Sequence, residues 1–328
     1  MRVRWLLLSA LLGFMTLLLI GSLTPSAAPP VSARELETVT PTPMPAPPTP
    51  TPMPTFPTLN QRIAADPDLK AALCQPDMAL TLQEGQIAAP ILLYHFVGRS
   101  TMEYGGRSTS RYNVTAADFD AQLAILQHLG YHTVTISEIS AALSGTLTLP
   151  ARPVALTVDD GWAENYTVIF PLLQKYGMRA TFYVPSTYPI GGRFVTWEQL
   201  QAMVAAGMEV GSHTRKHVNL RAVSGATAWY ELDQSKKTLE EKLGVPIVSV
   251  AYPYGNYAGS TLSLAQKAGY QAAVALGGTL QHSEATRYTL ARREVLGTKP
   301  LTEFVKWLPW RGEGTALCAT PEPAHQPQ

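Results

Sequence analysis

The residues best equipped for chemistry in this chain lie in two short stretches, Thr157-Val158-Asp159-Asp160-Gly161 and His213-Thr214-Arg215-Lys216-His217. Together they offer two adjacent carboxylates and two imidazoles four positions apart, a spacing that one helical turn would bring to one face. Two histidines and one carboxylate are a known catalytic zinc set, with the fourth position left to water. The second carboxylate would then be free to act as a base. Taken singly, neither stretch is specific. Asp-Asp-Gly is a common turn, and two histidines fall one turn apart by chance. Their weight comes from their shared context, because each follows a strand in the same alternating pattern.

Residues 153–158 are nearly all apolar, as in a strand buried on both faces. Asp159 and Asp160 would emerge at its C-terminal edge, where open sheets and barrels place their active sites. Residues 204–213 read as a helix end, a glycine cap at Gly207, a short strand and then His213. Residues 89–95 read as a first core strand with His95 at its tip. Between these, Thr115 is a natural N-cap for a helix carrying Phe119, Leu123, Leu126 and Leu129 and stopped by Gly130. Further helices are expected over 168–176, 228–243 and 262–268, each followed by glycine, with strands over 246–252 and 270–276. Such repetition predicts a parallel sheet or barrel.

The residues around both motifs resemble a polysaccharide deacetylase of the NodB-homology, carbohydrate esterase family 4 type. The family's T-F-D-D-G stands as Thr157 to Gly161 with Val158 for Phe, and its H-S/T-x-x-H as His213 to His217. Its R-x-P-Y motif is present only in part, as Ala251-Tyr252-Pro253-Tyr254-Gly255. Arg179 to Val184 and Phe194 to Trp197 occupy the usual connecting intervals, and the likeness runs from about Pro90 to about Val295. It implies an α/β fold, the family's distorted (β/α)7 barrel. It also implies a divalent metal, zinc by preference, on Asp160, His213 and His217. Asp159 would be the general base, and the backbone N–H of Tyr254 an oxyanion donor.

Two departures matter. The Arg that opens the third motif, and that orients the base, is Ala251 here. The Tyr-Pro-Tyr-Gly form resembles the branch containing poly-N-acetylglucosamine deacetylases, where an Arg from a later strand takes over. Arg292 is the candidate, with Arg293 beside it as the rival. The general acid is also displaced. Leu280-Gln281-His282 matches the family's L-x-H letters but comes early, and His95 is the preferred candidate. His128, His132 and His325 read as incidental.

Outside this domain the chain suggests its location. A basic start and the nineteen-residue apolar run 5–23 make residues 1–33 a signal peptide, cleaved near Val31-Ser32-Ala33, or an uncleaved membrane anchor. Residues 34–60 form a Pro/Thr-rich spacer, 61–88 an N-terminal extension, 89–312 the catalytic domain and 313–328 a disordered tail. Both readings of the N-terminus place the domain at the cell surface or outside it. There Cys74 and Cys318 could pair, and Asn113 and Asn165 head glycosylation sequons.

A net charge of +1 with no basic cluster excludes nucleic acid as a partner class. Trp162, Trp197, Tyr254 and Tyr257 lie near the motifs and could either stack on sugar rings or belong to the core. The expected activity is deacetylation of an N-acetylglucosamine-containing polysaccharide (peptidoglycan, chitin-like or poly-N-acetylglucosamine) by a monomer. The same attack would serve an ester, so a xylan-type O-acetyl esterase is an alternative. A catalytically weak glycan-binding module is another, although pure binding would not need Asp159.

Overall fold

The computed structural model describes residues 54–99, 103–104, 107–108, 110–312 and 317–318. The apolar run 5–23, its cleavage site, most of the Pro/Thr spacer and His325 lie outside the described residues. Among the described residues, no helix is long and apolar enough to cross a membrane.

Eight parallel strands build the centre: β1 (Ile91–Tyr94), β2 (His132–Val134), β3 (Pro153–Asp159), β4 (Thr181–Val184), β5 (Glu209–Ser212), β6 (Ser249–Ala251), β7 (Ala272–Leu276) and β8 (Leu290–Glu294). Seven of them close a ring in the order β1-β8-β7-β6-β5-β4-β3, with β3 returning to β1. The short β2 adds to the first half of β3, so the expected seven-membered barrel carries one accessory strand.

Side-chain alternation along these strands decides what faces the barrel interior. Ile91, Ala155, Tyr183, Ala251, Val274 and Leu290 pack together inside. Their neighbours Leu92, Leu156, Phe182, Val250 and Ala273 join the larger layer beneath the helices. The inward series therefore continues as Leu93 and His95, as Thr157 and Asp159, and as Arg292 and Glu294. Each ends at the C-terminal mouth. Gly211 is required on β5, because a Cβ there would lie 2.3 Å from the Tyr183 ring that fills the interior.

The covering helices follow their caps. The helix Ala116–His128 starts from Thr115, whose hydroxyl accepts the Asp118 N–H, and the helix Trp197–Ala205 starts from a Thr196 capping box. The longest, Gly225–Leu243, is capped by Ser224 and ends at left-handed Gly244. One helix departs from expectation. The segment expected over 168–176 begins as a π-turn at Asn165–Ile169 before becoming α-helical at Phe170–Lys175.

The spacer also ends sooner than the sequence suggests. Thr58 caps helix α1 (Leu59–Ala65), and α2 (Pro67–Leu73) follows. Leu69 and Leu73 of α2 are fully buried. Cys74 and Cys318 are bonded, closing a loop of 244 residues. Neither sequon is presented to solvent. Asn113 bonds the Arg99 backbone through both amide atoms, and Asn165 is 1% exposed.

Candidate active site

The barrel mouth opens into a cavity of about 650 Å³ whose lining includes His95, Asp159, Asp160, His213, His217, Tyr254 and Arg292. The structure thus gathers every preferred site residue of the sequence analysis into one place. His282 is elsewhere. It pairs with Ile87, and its Nε2 meets the Ala89 carbonyl at 3.0 Å, below the start of β1 at the opposite end of the barrel.

Backbone strain positions the central residues. Five non-glycine residues among those described have positive φ, and four of them are Asp160 (76°), Thr214 (63°), His217 (57°) and Tyr254 (62°). Such a conformation is uncommon for Asp and His and a genuine outlier for β-branched Thr, so the fold must impose it. At the end of β3 it turns Asp160 away from the inward direction taken by Asp159. Gly161 must follow, since a Cβ at its φ of 66° would lie 2.9 Å from Val184. The two histidines do not occupy a helix. His213 and His217 bracket a turn after β5, whose left-handed residues bring the imidazole centroids to 4.7 Å. The four-residue spacing is real, but a strained loop produces the shared face.

Asp160 Oδ1 lies 3.5 Å from His213 Nε2 and 3.2 Å from His217 Nε2. Ligands about 2.0–2.2 Å from one tetrahedral zinc would stand roughly 3.4 Å apart, so both carboxylate–imidazole edges have the right length, and all three ligand atoms of the triangle lie within 4.8 Å of one another. Second-sphere contacts orient it. His213 Nδ1 donates to the Ala251 carbonyl at 2.8 Å, which leaves the Nε2 lone pair facing the carboxylate. Trp162 Nε1 donates to Asp160 Oδ2 at 3.1 Å. Asp160 Oδ1 itself is buried with no hydrogen-bond partner. A buried anionic oxygen of that kind calls for a cation, and the donor set fits a divalent metal.

Asp159 borders this group, its Oδ2 3.7 Å from His213 Nε2, but its main partner is different. Arg292 clamps it with Nη1 to Oδ1 at 2.6 Å and Nη2 to Oδ2 at 2.7 Å, and both residues are at most 2% exposed. Arg292 is held in turn by Thr157 Oγ1 at 3.2 Å, whose hydroxyl donates to the Leu92 carbonyl. Arg293, the rival, points to the Gly278 carbonyl instead. Burial is the largest single influence and raises the Asp159 pKa, but the Arg292 charge and hydrogen bonds, together with the nearby imidazoles of His213 and His95, outweigh it and hold the carboxyl below its ordinary value. Burial opposes ionisation of Asp160 as well, and the two imidazoles beside it hold its pKa well down. His213 shows the reciprocal effect. Burial works to lower its pKa, and the carboxylates of Asp159 and Asp160 raise it.

His95 reaches the cavity from the tip of β1, 22% exposed, with Nδ1 3.9 Å from Glu294 Oε1 and its ring 5.2 Å from Tyr112. Glu294 and Arg111 line the same cavity and were missed in the sequence. Glu294 was recoverable, since it shares the inward parity of Leu290 and Arg292. The candidate sugar-stacking aromatics divide. Tyr254 is 60% exposed at the rim, its ring 4.8 Å from His217. Trp162 is buried at 2%, and Trp197 and Tyr257 pack against the core.

Comparison with known proteins agrees with this geometry. The polysaccharide deacetylase family model matches residues 146–273, which contain both motifs and Tyr254. YxkH of Bacillus subtilis, a polysaccharide deacetylase by name, is 31% identical over 198 residues, covering 60% of this chain and 66% of its own. The chain belongs to the polysaccharide deacetylase family. A poly-β-1,6-N-acetyl-D-glucosamine N-deacetylase of Escherichia coli is 30% identical over 123 residues, 31% of this family member and 18% of that enzyme. Among solved structures, the Streptococcus pyogenes deacetylase PplD in complex with acetate superposes with a TM-score of 0.62 at 27% identity. That match covers 68% of this chain and 98% of PplD. His95 and Arg292 lie outside the stretch matched by the family model.

Proposed function

We propose that this family member is an exported, metal-dependent hydrolase that removes N-acetyl groups from a polysaccharide containing N-acetylglucosamine. The observation that carries the reading is the different partnering of the two carboxylates, both near His213 but only one clamped by arginine. Asp160 faces the imidazoles of His213 and His217, while Arg292 holds Asp159 ionised beside them. A binding module would gain nothing from burying that second charge. Asp160, His213 and His217 would hold a divalent ion, with zinc the best match to the donor set. When bound, such an ion supplies Lewis acidity toward water and toward the acetyl carbonyl.

The chain's own groups do the rest. As water adds to the acetyl carbon, Asp159 accepts its proton, and the backbone N–H of Tyr254 donates to the developing oxyanion. As the C–N bond breaks, His95 gives a proton to the departing nitrogen, leaving acetate and a free amine. An amine departs poorly without that proton, so an imidazole facing the cavity favours an amide substrate over an ester. Export is supported by the oxidised Cys74–Cys318 pair, which suits an oxidising compartment, and by the apolar run near the N-terminus. The relative from Escherichia coli supports poly-N-acetylglucosamine as the first substrate to try.

The test is acetate release from N-acetylglucosamine oligomers, with and without chelator, by wild type and Asp159→Asn. Wild type should release acetate and lose that activity reversibly to chelator, and Asp159→Asn should keep its metal but not turn over. Wild type that binds metal yet releases acetate from no acetylated glycan would refute the reading.

A further inference from the structure

Arg99 is an unusual residue for the interior. It is 8% exposed, its Nε and Nη1 have no hydrogen-bond partner, and its nearest anion is Glu164 Oε1 at 3.7 Å. A buried guanidinium left with unsatisfied donors is costly and calls for a compensating role. Its surroundings suggest one. The guanidinium carbon lies 4.2 Å from the centre of the Trp162 indole and 4.6 Å from that of Phe96. Phe194 stacks on the same indole at 4.7 Å, and Phe96 contacts it at 5.2 Å. The indole is therefore clamped, and its single polar atom, Nε1, reaches Asp160 Oδ2 at 3.1 Å. The clamp is anchored, because Asn113 holds the Arg99 backbone at both its N–H and its carbonyl.

We propose that Arg99 is a positioning residue for the metal-binding carboxylate, acting through Trp162. A cation over the indole face draws on the ring's π-density, which fixes the ring plane and makes its N–H a stronger donor. That N–H occupies Oδ2 of Asp160 and leaves Oδ1 as the oxygen presented to His213 and His217. Without the clamp, left-handed Asp160 would retain its backbone strain but lose the contact that selects its rotamer. The inference rests on the metal reading of Asp160, His213 and His217.

Zinc affinity of the folded protein, measured by competition with a chromophoric chelator, tests it without recourse to activity. Trp162→Phe should weaken zinc binding about tenfold or more, the usual effect of losing an outer-shell partner. Arg99→Met should weaken it in the same direction, Arg99→Lys should retain most of the affinity, and the Arg99→Met/Trp162→Phe double variant should be no worse than Trp162→Phe alone. A purely structural role would lower the unfolding midpoint in chelator while leaving zinc affinity unchanged, and that result overturns the proposal. So does a double variant whose loss equals the product of the two single losses. If Arg99→Met does not fold, Arg99→Gln carries the same comparison. Wild type that binds no zinc would fail the metal reading and this inference together, whereas tight wild-type binding matched by Arg99→Met fails this inference alone.

Discussion

Arg292→Met is the most informative perturbation of the site. The ion pair it removes is bidentate, at 2.6 and 2.7 Å, with both partners at most 2% exposed. Taking one partner from such a pair leaves an uncompensated buried charge and typically costs about 3–5 kcal/mol, against 0–1 kcal/mol for an exposed pair. The pH dependence follows from the direction of the Asp159 shift. In the native protein its pKa lies below the unfolded value, so the pair contributes stability above about pH 4, lost as pH falls through the folded value. Without Arg292, burial, the largest single influence, is opposed only by the imidazoles of His213 and His95, and that pKa rises. The sign then inverts, and the variant loses stability as pH rises above about 4. Denaturant unfolding of both proteins in chelator, from pH 4 to 8, should give a difference near 3–5 kcal/mol at pH 7 that shrinks toward pH 4. Asp159→Asn should restore much of the loss in the Arg292→Met background, because no charge is then buried alone. A difference under about 1 kcal/mol at pH 7, or one independent of pH, would refute the reasoning.

His95→Ala should lower acetate release by about 10²–10⁴-fold, while His282→Ala should retain turnover; a His95→Ala enzyme at full rate excludes that imidazole as the acid. Burial lowers the His282 pKa, and its Nδ1 has no partner, so protonating it buries an unpaired charge. Stability should therefore fall as pH drops below about 6.5, and His282→Gln should flatten that slope in an acid unfolding series. An unchanged slope would assign the acid sensitivity to other groups. Reducing Cys74–Cys318, which closes 244 residues, should cost about 5 kcal/mol in the chain-entropy model, read by unfolding with and without reductant. A loss under about 1 kcal/mol would show that the unfolded chain gains little freedom.

Much of the site was legible because its chemistry is local. Asp159, Asp160, His213 and His217 sit in two five-residue motifs at strand exits, and strand periodicity carried both to the barrel mouth. Arg292 was only half legible. Its parity with Leu290 and Glu294 points it inward, but nothing local separates it from Arg293 until Arg293 is found turned to Gly278. The histidine spacing was read for a reason that did not hold, since a turn with two left-handed residues does the work assigned to a helix. The aromatic residues show a different limit. Composition counts Trp162 and Tyr254 alike, yet one is a buried donor to Asp160 and the other an exposed rim.

By itself the sequence determined which residue types could bind a metal and take a proton, and that a β/α repeat would present them at one edge. Those properties depend on neighbours a few positions apart, whose geometry the covalent chain already constrains. Only the tertiary structure decided the partners. Arg292 meets Asp159 across 133 positions because β3 and β8 both flank β1 in a closed ring. His282 is sent to the opposite end by its pairing with Ile87. Contacts at that separation are set by ring closure and register, which no local pattern encodes, and they determine which carboxylate Arg292 clamps and which histidine faces the cavity.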